Sequence, residues 1–344
     1  MNYTLKVAEV RKETSDTVTI CFRQPGLKKI KYEAGQYLSL IFNINGRKYI
    51  RPYSFSSSPA VDSFLEITVK RVINGIISNH INDLVKEGDV IEVLPPMGDF
   101  TFVSQKNMSA VYLWGSGSGI TPLISLAKQT LFSEQSMRVY LLYGNKNYES
   151  TIFANQIQLL QEEYKDRFYV RHFHTQAQID PNNPLVIQGR IGQKVAGEIL
   201  SMETDLPNTA HYICGPTGLK ESVKKAILEK QPDFENIYSE DFELIKNPVD
   251  FEAISTREVT LNFLGQEHRL EIVKGKSILE AALDANIELP YSCQTGNCSI
   301  CKGQLTSGEV KMIGLSNERP DLSTTECLVC CSHPLTDNVY IVIK

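Results

Sequence analysis

The sequence predicts a multidomain chain in which an antiparallel β-barrel is followed by an α/β domain on a parallel sheet and then by a small α+β unit. Three observations carry this. At 344 residues the chain has room for two or three domains of about 100–200 residues each. Its hydrophobic period changes near residue 105, from short alternating strands to apolar strands interleaved with helices. Residues 244–255 follow neither period, and the segment beyond them gathers most of the eight cysteines.

Residues 1–105 read as short strands between turn signals: YTLKVAEV, TVTICF, YLSLIFNI, RKYIRPYSF, FLEITVKRV and VIEVLP. One helical patch, ISNHINDLV, interrupts them, and the pattern is that of a small antiparallel barrel. Residues 106–243 alternate apolar runs (AVYLWG, RVYLLYG, FYVRHFH, AHYICG) with helical patterns such as ITPLISLAKQTLF and PTGLKESVKKAILEK. That βαβα order predicts a parallel sheet of nucleotide-binding type. Residues 244–255 carry a proline and read as a linker. Residues 256–344 hold a hairpin, EVTLNFLGQEHRLEIV, a helix, SILEAALDAN, a cysteine loop and a closing strand, NVYIVI.

Composition narrows the function classes. A formal net charge of -5 gives no electrostatic reason to expect nucleic acid or an anionic membrane as partner. No apolar run approaches the roughly 20 residues of a membrane span, and the N-terminal stretch MNYTLKVAEVRKET has no signal-peptide core. The expectation is a cytoplasmic protein. Cysteines in tight local spacing suit metal ligation in a reducing compartment better than a disulfide framework.

In PYSCQTGNCSICKG, residues 290–303, Cys293, Cys298 and Cys301 have C-x₄-C-x₂-C spacing. Two irons bridged by sulfide need four thiolates, and a compact loop supplies three while its small residues let backbone N–H groups face the sulfurs. This spacing resembles plant-type [2Fe-2S] ferredoxins, of β-grasp fold, in which a distant fourth cysteine completes the set. Cys327, Cys330 and Cys331 are the candidates. Strand alternation would point Cys330 and Cys331 apart, and the family's proline four residues after the ligand matches Pro334 when Cys330 is chosen. A structural zinc site is the plainer alternative, although zinc more often uses paired C-x₂-C units.

RPYSFSSSP, residues 51–59, ends a barrel strand, and about twenty residues later Gly75 and Ser78 open the helical patch, where free N–H groups suit phosphate. Arg-x-Tyr-Ser followed by Gly-x-x-Ser resembles the ferredoxin reductase flavoprotein family. The resemblance implies that Arg51, beside Pro52, binds the flavin phosphate, Tyr53 lies against the isoalloxazine and Ser54 hydrogen-bonds near N5. Gly75, Ile76, Ile77 and Ser78 would cap a pyrophosphate, which favours FAD over FMN. WGSGSGITP places Gly115, Gly117, Gly119 and Thr121 in a strand-to-helix turn that brings backbone close to a dinucleotide. The family's Cys-Gly-Pro corresponds to Cys214, Gly215 and Pro216, with Cys214 beside the nicotinamide. In SEDF, Glu240 would lie near N5 and Phe242 over the ring. NADH and NADPH both stay open: Glu149 comes late for a ribose contact, Lys146 suits a 2′-phosphate, and Thr175-Gln176 stands where NADPH relatives have Ser-Arg.

A nicotinamide gives two electrons at once and a [2Fe-2S] cluster takes one, so a flavin between them is the converter. The domain order resembles oxygenase reductases with a C-terminal ferredoxin domain. That resemblance implies an NAD(P)H-dependent oxidoreductase in electron transport. Its partner would be an oxygenase component accepting single electrons, in a phenylacetyl-CoA epoxidase-like or ring-hydroxylating system. A diiron hydroxylase or desaturase, a small acceptor, and a zinc-bearing scaffold without redox chemistry are the alternatives.

Overall fold

The computed structural model describes residues 2–26, 29–105, 107–176, 186–315 and 318–344. Residue 106, the expected start of the second domain, lies outside them. The chain divides into two compact units, Met1–Leu40 with Tyr53–Glu240, and Ile41–Pro52 with Asp241–Lys344.

The barrel comprises β1 (Tyr3–Thr14), β2 (Thr17–Phe22), β3 (Tyr37–Ile44), β4 (Arg47–Ser54), β5 (Leu65–Lys70) and β6 (Val90–Val93), with helix α1 (Ile76–Leu84) between the last two. Strand order is β4-β3-β6-β1-β2-β5, and an antiparallel bridge from Phe55 to Ile67 joins the end of β4 to β5. Pro52 has no N–H to donate and sits in β4, at the end of that order, where a missing ladder bond is tolerated. Leu5, Val7, Ile20, Leu38, Leu40, Leu65 and Ile67 fill the interior. Each such side chain stabilises by about 1.5–3 kcal/mol on burial.

The parallel sheet has the order β10-β9-β8-β7-β11-β12, from β7 (Ala110–Ser116), β8 (Arg138–Asn145), β9 (Phe168–His174), β10 (Val186–Gln188), β11 (Thr209–Cys214) and β12 (Ile237–Glu240). The helices are α2 (Ile120–Ser133), α3 (Ala154–Glu163), α4 (Gln193–Leu200) and α5 (Thr217–Lys230). Side chains of α2 and α3 join the core on one face of the sheet, and those of α4 and α5 the core on the other. Both faces are therefore covered, as the apolar strands require. Because β8 and β11 flank β7, the order reverses at β7/β11, and ligands of such sheets bind at the carboxyl ends there.

In the C-terminal segment, β13 (Arg257–Phe263), β14 (Gln266–Ile272), β15 (Lys302–Ser307), β17 (Glu326–Leu328) and β19 (Val339–Ile343) form a mixed sheet, β14-β13-β19-β15-β17, with β13 and β19 parallel. Helix α6 (Ile278–Asp284) begins in a capping box, Ser277 Oγ accepting from Glu280 N and Glu280 accepting from Ser277 N. A two-stranded ribbon, β16 (Val310–Met312) with β18 (Ser332–Pro334), completes the unit. The 244–255 segment contains a short 3₁₀ turn, Pro248–Phe251. It is tied down: Ile245 N donates to Gly314 O at 3.2 Å, and Lys311 Nζ meets the Asp250 carboxylate at 3.2 Å.

Candidate functional site

Cys293, Cys298 and Cys301 lie between α6 and β15, and Cys330 follows β17. Their thiols meet in two pairs, Cys293 with Cys298 and Cys301 with Cys330. Amides face the sulfurs: Thr295 N donates to Cys293 Sγ at 3.4 Å, Ile300 N to Cys298 and Cys330 N to Cys301. The hydrogen bond from Cys298 holds the Cys293 thiol below its ordinary range and pushes Cys298 above it. Cys330 and burial together raise Cys301. Thiols in pairs suit a centre of two bridged metals, one pair to each, so the donor set fits a [2Fe-2S] cluster.

Strand alternation, expected to separate Cys330 from Cys331, does not operate there. β17 ends at Leu328 and β18 begins at Ser332, so both cysteines lie in a turn. Both are buried and their thiols touch. What separates them is that Cys330 also meets Cys301, whereas Cys331 Sγ donates to Leu328 O at 3.4 Å. Cys327 hydrogen-bonds Ser332, and burial pushes it up to about 11.

On β4, the Arg51 guanidinium donates to Ile50 O at 2.8 Å and lies 6.0 Å from the Tyr49 ring. Further along, Ser54 Oγ donates to Glu240 Oε2 at 3.4 Å, joining two expected site residues 186 positions apart. Gly75 caps α1 at φ −73 with no side-chain acceptor for the first-turn amides. The N–H groups of Ile76, Ile77 and Ser78 lack intrahelical partners by construction, which suits a phosphate. Ser78 is buried, its Oγ accepting from Val72 N at 3.0 Å. A Cβ on Gly75 would lie 2.6 Å from that Oγ, so crowding selects this glycine. Phe242 is 45% exposed.

At the carboxyl edge of the parallel sheet, Cys214 is paired in register with Gly115 on one side and Glu240 on the other. Gly119 enters α2 so close to β11 that a Cβ would fall 2.1 Å from Cys214 O. Gly117, at φ +55, opens onto free space. Thr121 Oγ1 ties the turn by donating to Ser118 O at 3.1 Å. Pro216 caps α5, with Gly215 before it. Three crowded or open backbone positions around one strand end form a ledge that a pyrophosphate fits and that side chains would fill. Beyond β8 and β9, Gln176 N donates to Lys146 O at 2.8 Å, which brings Lys146 beside Thr175-Gln176.

Sequence reasoning missed two features of the second unit. Ile50 N donates to Tyr291 Oη at 3.0 Å, and Ile50 O accepts from Gln294 Nε2 at 3.3 Å, so the hairpin strand holds the cysteine loop. Arg319 also grips that loop. Separations of 241, 244 and about twenty residues leave no local sequence signal.

Three family models match in order: an oxidoreductase FAD-binding domain over residues 4–102, an oxidoreductase NAD-binding domain over 113–225 and a 2Fe-2S iron-sulfur cluster binding domain over 261–335. The ferredoxin reductase component of 3-ketosteroid-9-alpha-monooxygenase from Rhodococcus rhodochrous is 30% identical, over 98% of this chain and 95% of that one. A component of 1,2-phenylacetyl-CoA epoxidase from Escherichia coli strain K12 is 29% identical over 98% and 97%. The structure of phthalate dioxygenase reductase superposes with a TM-score of 0.69 at 25% identity, covering 99% of this chain and 98% of that one. The chain belongs to the family of three-domain ferredoxin reductase components that these proteins represent. It is an NAD(P)H-dependent oxidoreductase using FAD and a [2Fe-2S] cluster, as the sequence implied.

Proposed function

We propose that the chain is the reductase component of a separate oxygenase, an enzyme of the phenylacetyl-CoA epoxidase-like or ring-hydroxylating kind, in the cytoplasm. The single observation that carries the outlet is the pairing of four thiols, three buried and Cys298 half-buried, Cys293 with Cys298 and Cys301 with Cys330. The names of the Rhodococcus and Escherichia relatives, components of a monooxygenase and an epoxidase, support the partner class. When bound, the flavin converts a two-electron donor into a source of single electrons.

The chain's residues then have these roles, within a flavin domain over 1–105, a nicotinamide domain over 106–243, a linker over 244–255 and a ferredoxin domain over 256–344. Arg51 neutralises the flavin phosphate by a charge-assisted hydrogen bond; Pro52 and Tyr53 shape the ring pocket, and Gly75 to Ser78 hold the pyrophosphate. Ser54 would turn its one hydroxyl proton from Glu240, its acceptor here, towards N5, with Glu240 lying near N5. The Gly115–Thr121 turn and Gly215-Pro216 hold NADH or NADPH with Cys214 against the nicotinamide, and Phe242 covers the flavin ring. The test is anaerobic addition of each nicotinamide to cofactor-loaded protein. Flavin colour should bleach first and cluster colour second, followed by one-electron reduction of cytochrome c; a cluster that stays oxidised while the flavin bleaches refutes the reading.

A further inference from the structure

The loop between Cys293 and Cys301 closes on one cation. The Arg319 guanidinium donates to Gly296 O and to Ser299 Oγ, both inside that loop. The same fork engages Asp321 through Nε at 2.8 Å and Nη2 at 2.7 Å. Exposure differs sharply between them, 12% for the Arg319 side chain and 55% for that of Asp321. The positive charge is thus held away from water, and the negative charge is screened by it. Gly296 and Ser299 stand two residues before and one residue after Cys298, so the guanidinium lies beside the ligand loop. The loop needs outside support, since Gln294 and Ser299, neither of them glycine, both sit at φ +59.

We propose that Arg319 is a positioning residue of the iron-sulfur centre, tying down the 293–301 loop and setting the cluster's reduction potential, with Asp321 as the counter-charge that limits the effect. Reduction adds one negative charge to the cluster. A fixed, poorly screened cation beside it favours the reduced form and raises the potential. Asp321 opposes this from the solvent side and so opposes it weakly. Lysine carries the charge but lacks the planar fork that reaches two loop acceptors and a carboxylate together. The proposal rests on Cys293 and Cys298 holding the cluster.

Redox titration of the full-length holoprotein, followed by electron paramagnetic resonance with iron and sulfide counted, tests it. Arg319→Gln should make the cluster about tenfold harder to reduce, a shift of about 59 mV to more negative potential for one electron. Asp321→Asn should move the potential the opposite way by a smaller amount. Arg319→Lys should keep most of the potential while losing iron faster than wild type. A clamp without electrostatic function would lower cluster occupancy in both Arg319 variants but leave the potential of retained clusters unchanged, in them and in Asp321→Asn; that result overturns the proposal. Should Arg319→Gln not hold a cluster, Asp321→Asn decides alone, and an unmoved potential there is fatal. Wild-type protein without two irons and labile sulfide per chain would instead bring down the ligand reading beneath it.

Discussion

At the scale of single residues, adjacent Cys330 and Cys331 show what spacing can and cannot settle. The C-x₄-C-x₂-C loop was legible because its chemistry is local: three thiolates within nine positions need a short, small-residue loop. The choice between Cys330 and Cys331 rested on a strand that the structure replaces with a turn. The family register and the thiol contacts both favour Cys330, since it meets Cys301. Cys330→Ser should therefore abolish the visible cluster spectrum and lower iron to a small fraction of two per chain. Cys331→Ser, whose thiol binds the Leu328 carbonyl, should retain both. Exchanged iron counts would show that the turn presents the other sulfur.

At the scale of elements, the parallel sheet was easier to foresee than its interior. Runs such as AVYLWG and AHYICG announce β7 and β11, but no period indicates that Trp114 on β7 donates to His211 Nδ1 on β11 at 3.1 Å, or that Thr209 Oγ1 meets the other ring nitrogen at 3.0 Å. The imidazole is fully buried, and burial alone pushes it down to about 3. Unfolded, it titrates near 6.5. The unfolded state therefore binds the proton first as pH falls, so the stabilisation is complete above about pH 6.5 and is lost progressively down to about pH 3. The slope is about 1.4 kcal/mol per pH unit for one group. His172, pushed down to about 4 by burial and by His174, adds to it. Trp114 is the chain's one tryptophan, so its fluorescence reports unfolding at this position. Urea midpoints followed that way should fall from pH 6.5 to pH 4.5, and His211→Gln should fall less steeply by about one proton's worth. Parallel slopes would mean that the charged ring finds a partner or water in the folded state.

At the scale of the whole molecule, the three-part order was legible because each part has its own period or motif, whereas the grouping of the β3–β4 hairpin was not. Residues Ile41–Pro52 form a compact unit with Asp241–Lys344, though nothing in YLSLIFNI or RKYIRPYSF distinguishes them from other barrel strands. The attachments differ in worth. Arg47–Asp284 and Lys48–Glu288 are exposed ion pairs, each contributing about 0–1 kcal/mol. The bond from Ile50 N to Tyr291 Oη joins two buried residues, and leaving that amide unpaired costs about 1–3 kcal/mol. Ile50 O serves both Arg51, the proposed phosphate ligand, and Gln294 of the cysteine loop. Loss of the cluster and loss of the ferredoxin segment should therefore differ in effect. Cys298→Ser keeps the segment, and should retain FAD and NAD(P)H-driven dye reduction at near wild-type levels while losing the iron signal. A chain ending at residue 243 leaves Ile50 without Tyr291 and Gln294 and frees the strand that carries Arg51. Its FAD should dissociate at least several-fold more readily in gel filtration or fluorescence titration, with dye reduction restored by added FAD. Equal flavin retention in the two proteins would show that the hairpin keeps its conformation without the cysteine loop, and that the grouping seen here has no bearing on the flavin.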